Sequence, residues 1–223
     1  LSWADPEALD LWNSLKLGYT ESLGLPLLRR EITGLYQGIS PEEVLVTAPE
    51  EGIFLALHSF LGEDDHVICS WPGYQSLYEI AESIGCSLDR WEPSEEAGWR
   101  FDVRTLESLI RPATKAIILN FPHNPTGYLP SRTDFEKVLN LAEKHDLYVF
   151  SDEMYRFLEL DPRERLPSAC ELYPNAISLF GMSKTFGLAG TRIGWVITRN
   201  RDLFRKMAAF KDYTTICSSA PSE

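Results

Sequence analysis

The chain has 223 residues, 44% hydrophobic and 24% charged, enough to bury a substantial core as one large domain. Its formal net charge of -12 argues against nucleic acid or an anionic membrane surface as the main partner, because phosphate-rich partners call for basic clusters. No apolar stretch approaches membrane-spanning length, and the start LSWADPEALD has neither a basic nor an apolar leader region, so the cytoplasm is the expected address.

Residues 1–40 are expected to form an N-terminal helical segment leading into a large domain over residues 41–223. Val44–Thr47 predicts a strand, followed by a helix through about Leu61. His66–Ser70 predicts a strand, Tyr74–Ile84 a helix and Cys86–Trp91 a strand. Lys115–Phe121 is nearly all apolar, as suits a central strand covered on both faces. Pro130 to Asp134 opens a helix with polar capping candidates that runs to about His145. Leu147–Ser151, Ala176–Phe180 and Gly194–Thr198 predict three more strands, and Asp202–Lys211 a final helix. This alternation predicts an α/β fold with a mostly parallel sheet and helices on both faces. Ligands of such sheets bind beyond the carboxyl ends of the strands, and Asn124, Asp152 and Lys184 each follow a different predicted strand.

The scattered cysteines Cys69, Cys86, Cys170 and Cys217 form no C-x-x-C pair and read as small buried hydrophobes in a reducing compartment. His58, His66, His123 and His145 lack the spacing of a metal site, and no metal is expected.

The stretch Gly181-Met182-Ser183-Lys184-Thr185-Phe186-Gly187-Leu188-Ala189-Gly190-Thr191-Arg192-Ile193-Gly194 is the most informative. A lysine amine can condense with an aldehyde, and a fixed cation can hold a phosphate. Those are the two handles of pyridoxal phosphate. The stretch resembles the lysine signature of the class I/II aminotransferases, pyridoxal phosphate-dependent enzymes of fold type I, with every constrained position occupied. Ser151-Asp152-Glu153-Met154-Tyr155 and Asn120-Phe121-Pro122-His123-Asn124-Pro125-Thr126-Gly127 resemble two further motifs of that family, the second being its N-x-P-x-N-P-T-G loop.

The resemblance implies a role for each matching residue. Lys184 would form the Schiff base with pyridoxal 5'-phosphate and shuttle the substrate α-proton. Asp152 would hold the pyridine nitrogen protonated, and Tyr155 and Asn124 would bond the phenolic oxygen. Tyr74, in Trp71-Pro72-Gly73-Tyr74, would stack on the ring, with Trp71 a core residue. Arg192 and Ser183 would bind the phosphate together with the strand-to-helix turn Ala48-Pro49-Glu50. That turn departs from the family's T-x-G-A-x-E-A pattern: it is one residue shorter, Pro49 has no N–H, and the Glu50 carboxylate must turn away from a phosphate. Glu153 has no family role and is expected to be structural or solvated. Tyr19, in a segment resembling Y-x-x-x-x-G-x-x-x-L-R that ends at Arg29, would reach the partner's phosphate in a homodimer.

The resemblance thus implies a transaminase exchanging an amino group between an amino acid and a 2-keto acid, with no nucleic-acid or membrane partner. A lyase, cyclase or decarboxylase on the same scaffold, or a non-catalytic cofactor-binding domain, stays open. The family's C-terminal small domain and its arginine for the substrate α-carboxylate are expected beyond Ala220–Glu223, so the chain taken alone is expected to lack part of the substrate clamp.

Overall fold

The computed structural model describes residues 18–223. Of the expected N-terminal helical segment, residues 1–17 lie outside the described residues; residues 18–40 contain one α-helix, α1 (Pro26–Thr33). The sheet has seven strands: β1 (Val44–Thr47), β2 (His66–Ser70), β3 (Ser87–Trp91), β4 (Thr114–Asn120), β5 (Tyr148–Asp152), β6 (Ala176–Gly181) and β7 (Gly194–Ile197). Their spatial order is β1-β7-β6-β5-β4-β2-β3, and β7 alone runs against the rest. After β3 the chain returns to the other side of β2 to lay down β4, which reverses the direction of strand addition. At such a reversal, neighbouring connections diverge to opposite faces and leave a crevice at the strand ends.

Alternation along each strand divides the core. Ala116 and Ile118 of β4 join Val67, Phe150 and Ile177 in a layer beneath α2 (Pro49–Phe60), α3 (Ser76–Ile84) and α7 (Arg201–Lys211). Ile117 and Leu119 face the other way, toward α5 (Arg132–Lys144) and α6 (Ala169–Leu172), with α4 (Val103–Leu109) at the margin. A strand covered on both faces carries an almost unbroken apolar run, which is what β4 shows.

The elements match the expected ones with ends shifted by one or two residues. α5 begins after Ser131, whose hydroxyl accepts the Asp134 N–H (3.1 Å). α3 begins at Ser76, so Tyr74 lies in the preceding turn rather than in the helix. α4 and α6 have seven and four residues and were not anticipated, because two turns or fewer give little periodicity to read. Trp71 is only half buried; its ring lies under the Arg90 guanidinium (4.0 Å) and against Tyr78, which corrects its expected place in the core.

Two glycines seat α2 on the sheet. Pro49 packs over the junction of Gly181, at the end of β6, and Gly194, at the start of β7. A Cβ on Gly194 would meet Pro49 Cγ at 2.8 Å and the Phe180 carbonyl oxygen at 2.9 Å. Gly194→Ala is therefore expected to destabilise the fold by about 1–3 kcal/mol, since backbone on one side and a proline ring on the other leave no room to yield. Urea unfolding checks this, and an unchanged midpoint would show that the notch can relax.

Candidate active site

The strand ends converge on a cavity of about 220 Å³ bordered by Glu50, Tyr74, Asn124, Asp152, Tyr155, Ser183, Lys184 and Arg192, with Pro49, Ile53 and Leu179 among its apolar lining. The polar side chains arrive from several connections, with Ser183, Lys184 and Arg192 sharing the one between β6 and β7. Glu50 opens α2, Tyr74 follows β2 and Asn124 follows β4. Asp152 is the last residue of β5, and Lys184 follows β6.

Asp152 is 4% exposed, and its Oδ1 accepts the Met154 N–H (3.0 Å). Burial pushes its carboxyl up to about 7. The neighbouring Glu153 and Glu50 charges add to the rise, while the Met154 N–H and Lys184 oppose it. A carboxyl held in this way is poised to ionise when a cation comes beside it.

Asn120, at the end of β4, braces the site. Its Nδ2 donates to the Asp152 carbonyl (3.1 Å), and its Oδ1 accepts the Asn124 N–H (2.8 Å). One buried amide thus ties the Asn124 loop to the strand end that carries Asp152. The sequence displayed this residue only as the first letter of a loop motif. A polar amide closing an otherwise apolar strand was the available signal, because a buried amide needs partners.

Lys184 is exposed and projects from a loop closed on itself. Met182 N bonds the Ile193 carbonyl (3.0 Å), Leu188 N the Met182 carbonyl (3.0 Å) and Gly187 N the Lys184 carbonyl (3.1 Å). Gly187 has φ +66°, a conformation that costs glycine nothing. Thr185 Oγ1 donates to the Arg156 carbonyl (2.6 Å), fastening this loop to the turn after β5. Arg192 adopts φ +56° and its Nη1 donates to the Ala189 carbonyl (3.2 Å), so a non-glycine residue holds a left-handed conformation beside the cavity.

Four residues singled out in the sequence lie at or beyond the border of the cavity. Ala48 precedes α2 and does not border the cavity, so the helix's first turn meets it through Pro49 and Glu50. Tyr19 is 89% exposed and also stands outside the cavity lining of its own chain. Glu153 takes the structural of its two expected places: it is buried, and its Oε1 accepts the Ala169 N–H (2.9 Å) and the Ser178 hydroxyl (2.9 Å), joining the end of β5 to β6 and α6 on the far side of the sheet. Arg29, which closes the Y-x-x-x-x-G-x-x-x-L-R segment, is buried and donates through Nε to the Val44 carbonyl (3.1 Å). Among the described residues no acidic, histidine or cysteine cluster has the makings of a metal site, and no helix is long and apolar enough to cross a membrane.

The model of the family described as aminotransferase class I and II matches residues 9–222. This chain belongs to that family. It is similar to the aspartate aminotransferase of Sulfurisphaera tokodaii, at 29% identity over 86% of this chain and 50% of the relative. Kynurenine–oxoglutarate transaminase 3 of Homo sapiens is also 29% identical, over 91% of this chain and 48% of its own length. Among solved structures, a PLP-dependent aminotransferase from Streptococcus suis 89-1591 superposes with a TM-score of 0.90 and 36% identity, covering 98% of this chain and 58% of that one. The chain therefore spans about half the length of the curated relatives it matches, and its sheet is the large domain of the family fold.

The donor set of this aminotransferase-family cavity fits pyridoxal phosphate. A buried carboxyl suits a ring nitrogen that must carry a proton. A guanidinium, a hydroxyl and the first turn of α2 suit a phosphate, and an exposed amine suits an aldehyde.

Proposed function

We propose that this protein is a pyridoxal phosphate-dependent aminotransferase that moves an amino group between an amino acid and a 2-keto acid. The observation that carries this reading is the convergence on one cavity of Lys184 and Arg192 from the β6–β7 connection, Asp152 from the end of β5 and Asn124 from the loop after β4, with Tyr155 beside them. Membership of the aminotransferase family supports it.

When bound, pyridoxal phosphate supplies an aldehyde that takes up an amino group and a ring that accepts the electron pair released at the substrate α-carbon. Lys184 Nζ would be the amine that holds the aldehyde and the base that takes the substrate α-proton and returns it. Asp152 holds a proton on the ring nitrogen, a role its buried position favours because the carboxylate there gains most from a cation. Asn124 and Tyr155 bond the phenolic oxygen. Tyr74 would lie against the ring, while Arg192, Ser183 and the N–H groups at the start of α2 would hold the phosphate.

We further place the working protein as a cytoplasmic homodimer. Three of its four unpaired cysteines are buried, as in proteins of reducing compartments, and Tyr19 is exposed on its own chain and available to a partner's cavity.

The test is borohydride reduction of the full-length protein after addition of pyridoxal phosphate, with peptide mapping, followed by a panel of amino acids. A label on Lys184 and stable conversion of the cofactor to its amine form are expected. Release of ammonia, sulfide or carbon dioxide in place of that conversion would move the assignment to a lyase or decarboxylase.

A further inference from the structure

We propose that Glu50 is a positioning residue that fixes the ring of Tyr74 against the cavity by accepting hydrogen bonds from Tyr74 Oη and Ser76 Oγ at once. This inference rests on the pyridoxal phosphate reading for its consequence, and on the geometry of this chain alone for the contact itself.

Glu50 stands in the first turn of α2, so its carboxylate needs a reason to be beside a phosphate subsite. Its partners supply that reason. Oε2 accepts the Tyr74 phenol (3.0 Å) and Oε1 accepts the Ser76 hydroxyl, so each carboxylate oxygen has a hydroxyl donor. Tyr74 lies in the β2–α3 turn and Ser76 opens α3, and together they tie that junction to the start of α2 across more than twenty residues of sequence.

Tyr74 needs such a tether. It precedes α3, is 45% exposed, and so lacks the enclosing contacts that fix a core ring. The phenol is pushed up from its ordinary range, first by burial and then by the hydrogen bond and charge of Glu50. The ends of two connections are thereby locked to one another, and an aromatic wall that would otherwise swing gains a fixed plane.

The test is a double-mutant cycle in the full-length protein. Visible circular dichroism of bound pyridoxal phosphate, which reports the ring's asymmetric surroundings, is compared in wild type, Glu50→Gln, Tyr74→Phe and the double variant. Each single change is expected to reduce the signal about twofold or more, and the second change to add nothing to the first. Fully additive losses would overturn the proposal.

Independently of any cofactor, NMR of protein labelled at tyrosine Cζ, with Tyr74 assigned from Tyr74→Phe, follows the phenol's titration. It is expected to move to lower pH in Glu50→Gln, and an unmoved titration would overturn the contact. Failure of Lys184 to take the borohydride label would sink the cofactor reading while leaving this titration to decide on Glu50.

Discussion

Lys184→Ala is expected to remove the borohydride-trapped cofactor label entirely and to lower transamination by about 10⁴-fold or more. The size follows from its two duties, because proton transfer alone is worth 10²–10⁴-fold and the same amine is the covalent anchor. The side chain is exposed and its loop is closed by backbone hydrogen bonds from Met182, Gly187 and Leu188, so truncation removes almost no packing. The unfolding midpoint should therefore stay within about 0.5 kcal/mol of wild type. Peptide mapping and urea unfolding of the same preparation separate the outcomes. A label elsewhere, or a normal label in the variant, would remove Lys184 from its role.

Asp152→Asn should act on stability and chemistry in opposite directions. Asp152 has a carboxyl raised from 3.8 to about 7 by burial. Between those values the folded protein keeps a proton that the unfolded chain has released. Its contribution to stability is therefore complete below about pH 4 and is lost as pH rises through 7. Without added cofactor, asparagine escapes that loss. The variant should gain on wild type by up to about 4 kcal/mol between pH 4 and pH 8, read from urea unfolding at a series of pH values.

Catalysis should move the other way. The amide cannot hold a proton on the ring nitrogen, and exchange of the substrate α-proton should fall by about 10²–10³-fold, the usual cost of one electrostatic contact in a water-poor site. Cofactor should still be retained through Lys184 and Arg192, so an exchange assay in deuterated solvent at saturating pyridoxal phosphate isolates the effect. Undiminished exchange would take Asp152 out of the mechanism. A residue that costs stability at working pH while serving the reaction is the pattern expected where a site is built against folding.

The alternation of apolar runs and amphipathic stretches was enough to place all seven strands and most of the longer helices, because strand and helix periods are local properties of the chain. It also put Asn124, Asp152 and Lys184 at three strand ends, and a parallel sheet gathers such ends along one edge. The reversal of strand order after β3 was not legible. Which strand pairs with which is set by long-range packing, and β7 gives no local sign that it runs against its neighbours.

Single side chains divide in the same way. Lys184, Arg192 and Asp152 were readable because their chemistry and their position in the chain agreed. The amide bridge of Asn120, the burial of Glu153 and the outward placement of Trp71 depend on partners elsewhere in the sequence, such as Asp152, Ser178 and Arg90. The pairing of Glu50 with Tyr74 belongs with them. In the sequence, Glu50 was only a carboxylate in an awkward place; in the fold, two hydroxyls from a neighbouring turn give that charge its partners. Sequence patterning determined which residues stand at the mouth of the sheet. Tertiary packing decided which way they face, because a buried or half-buried polar group takes whichever donor the fold brings within about 3 Å.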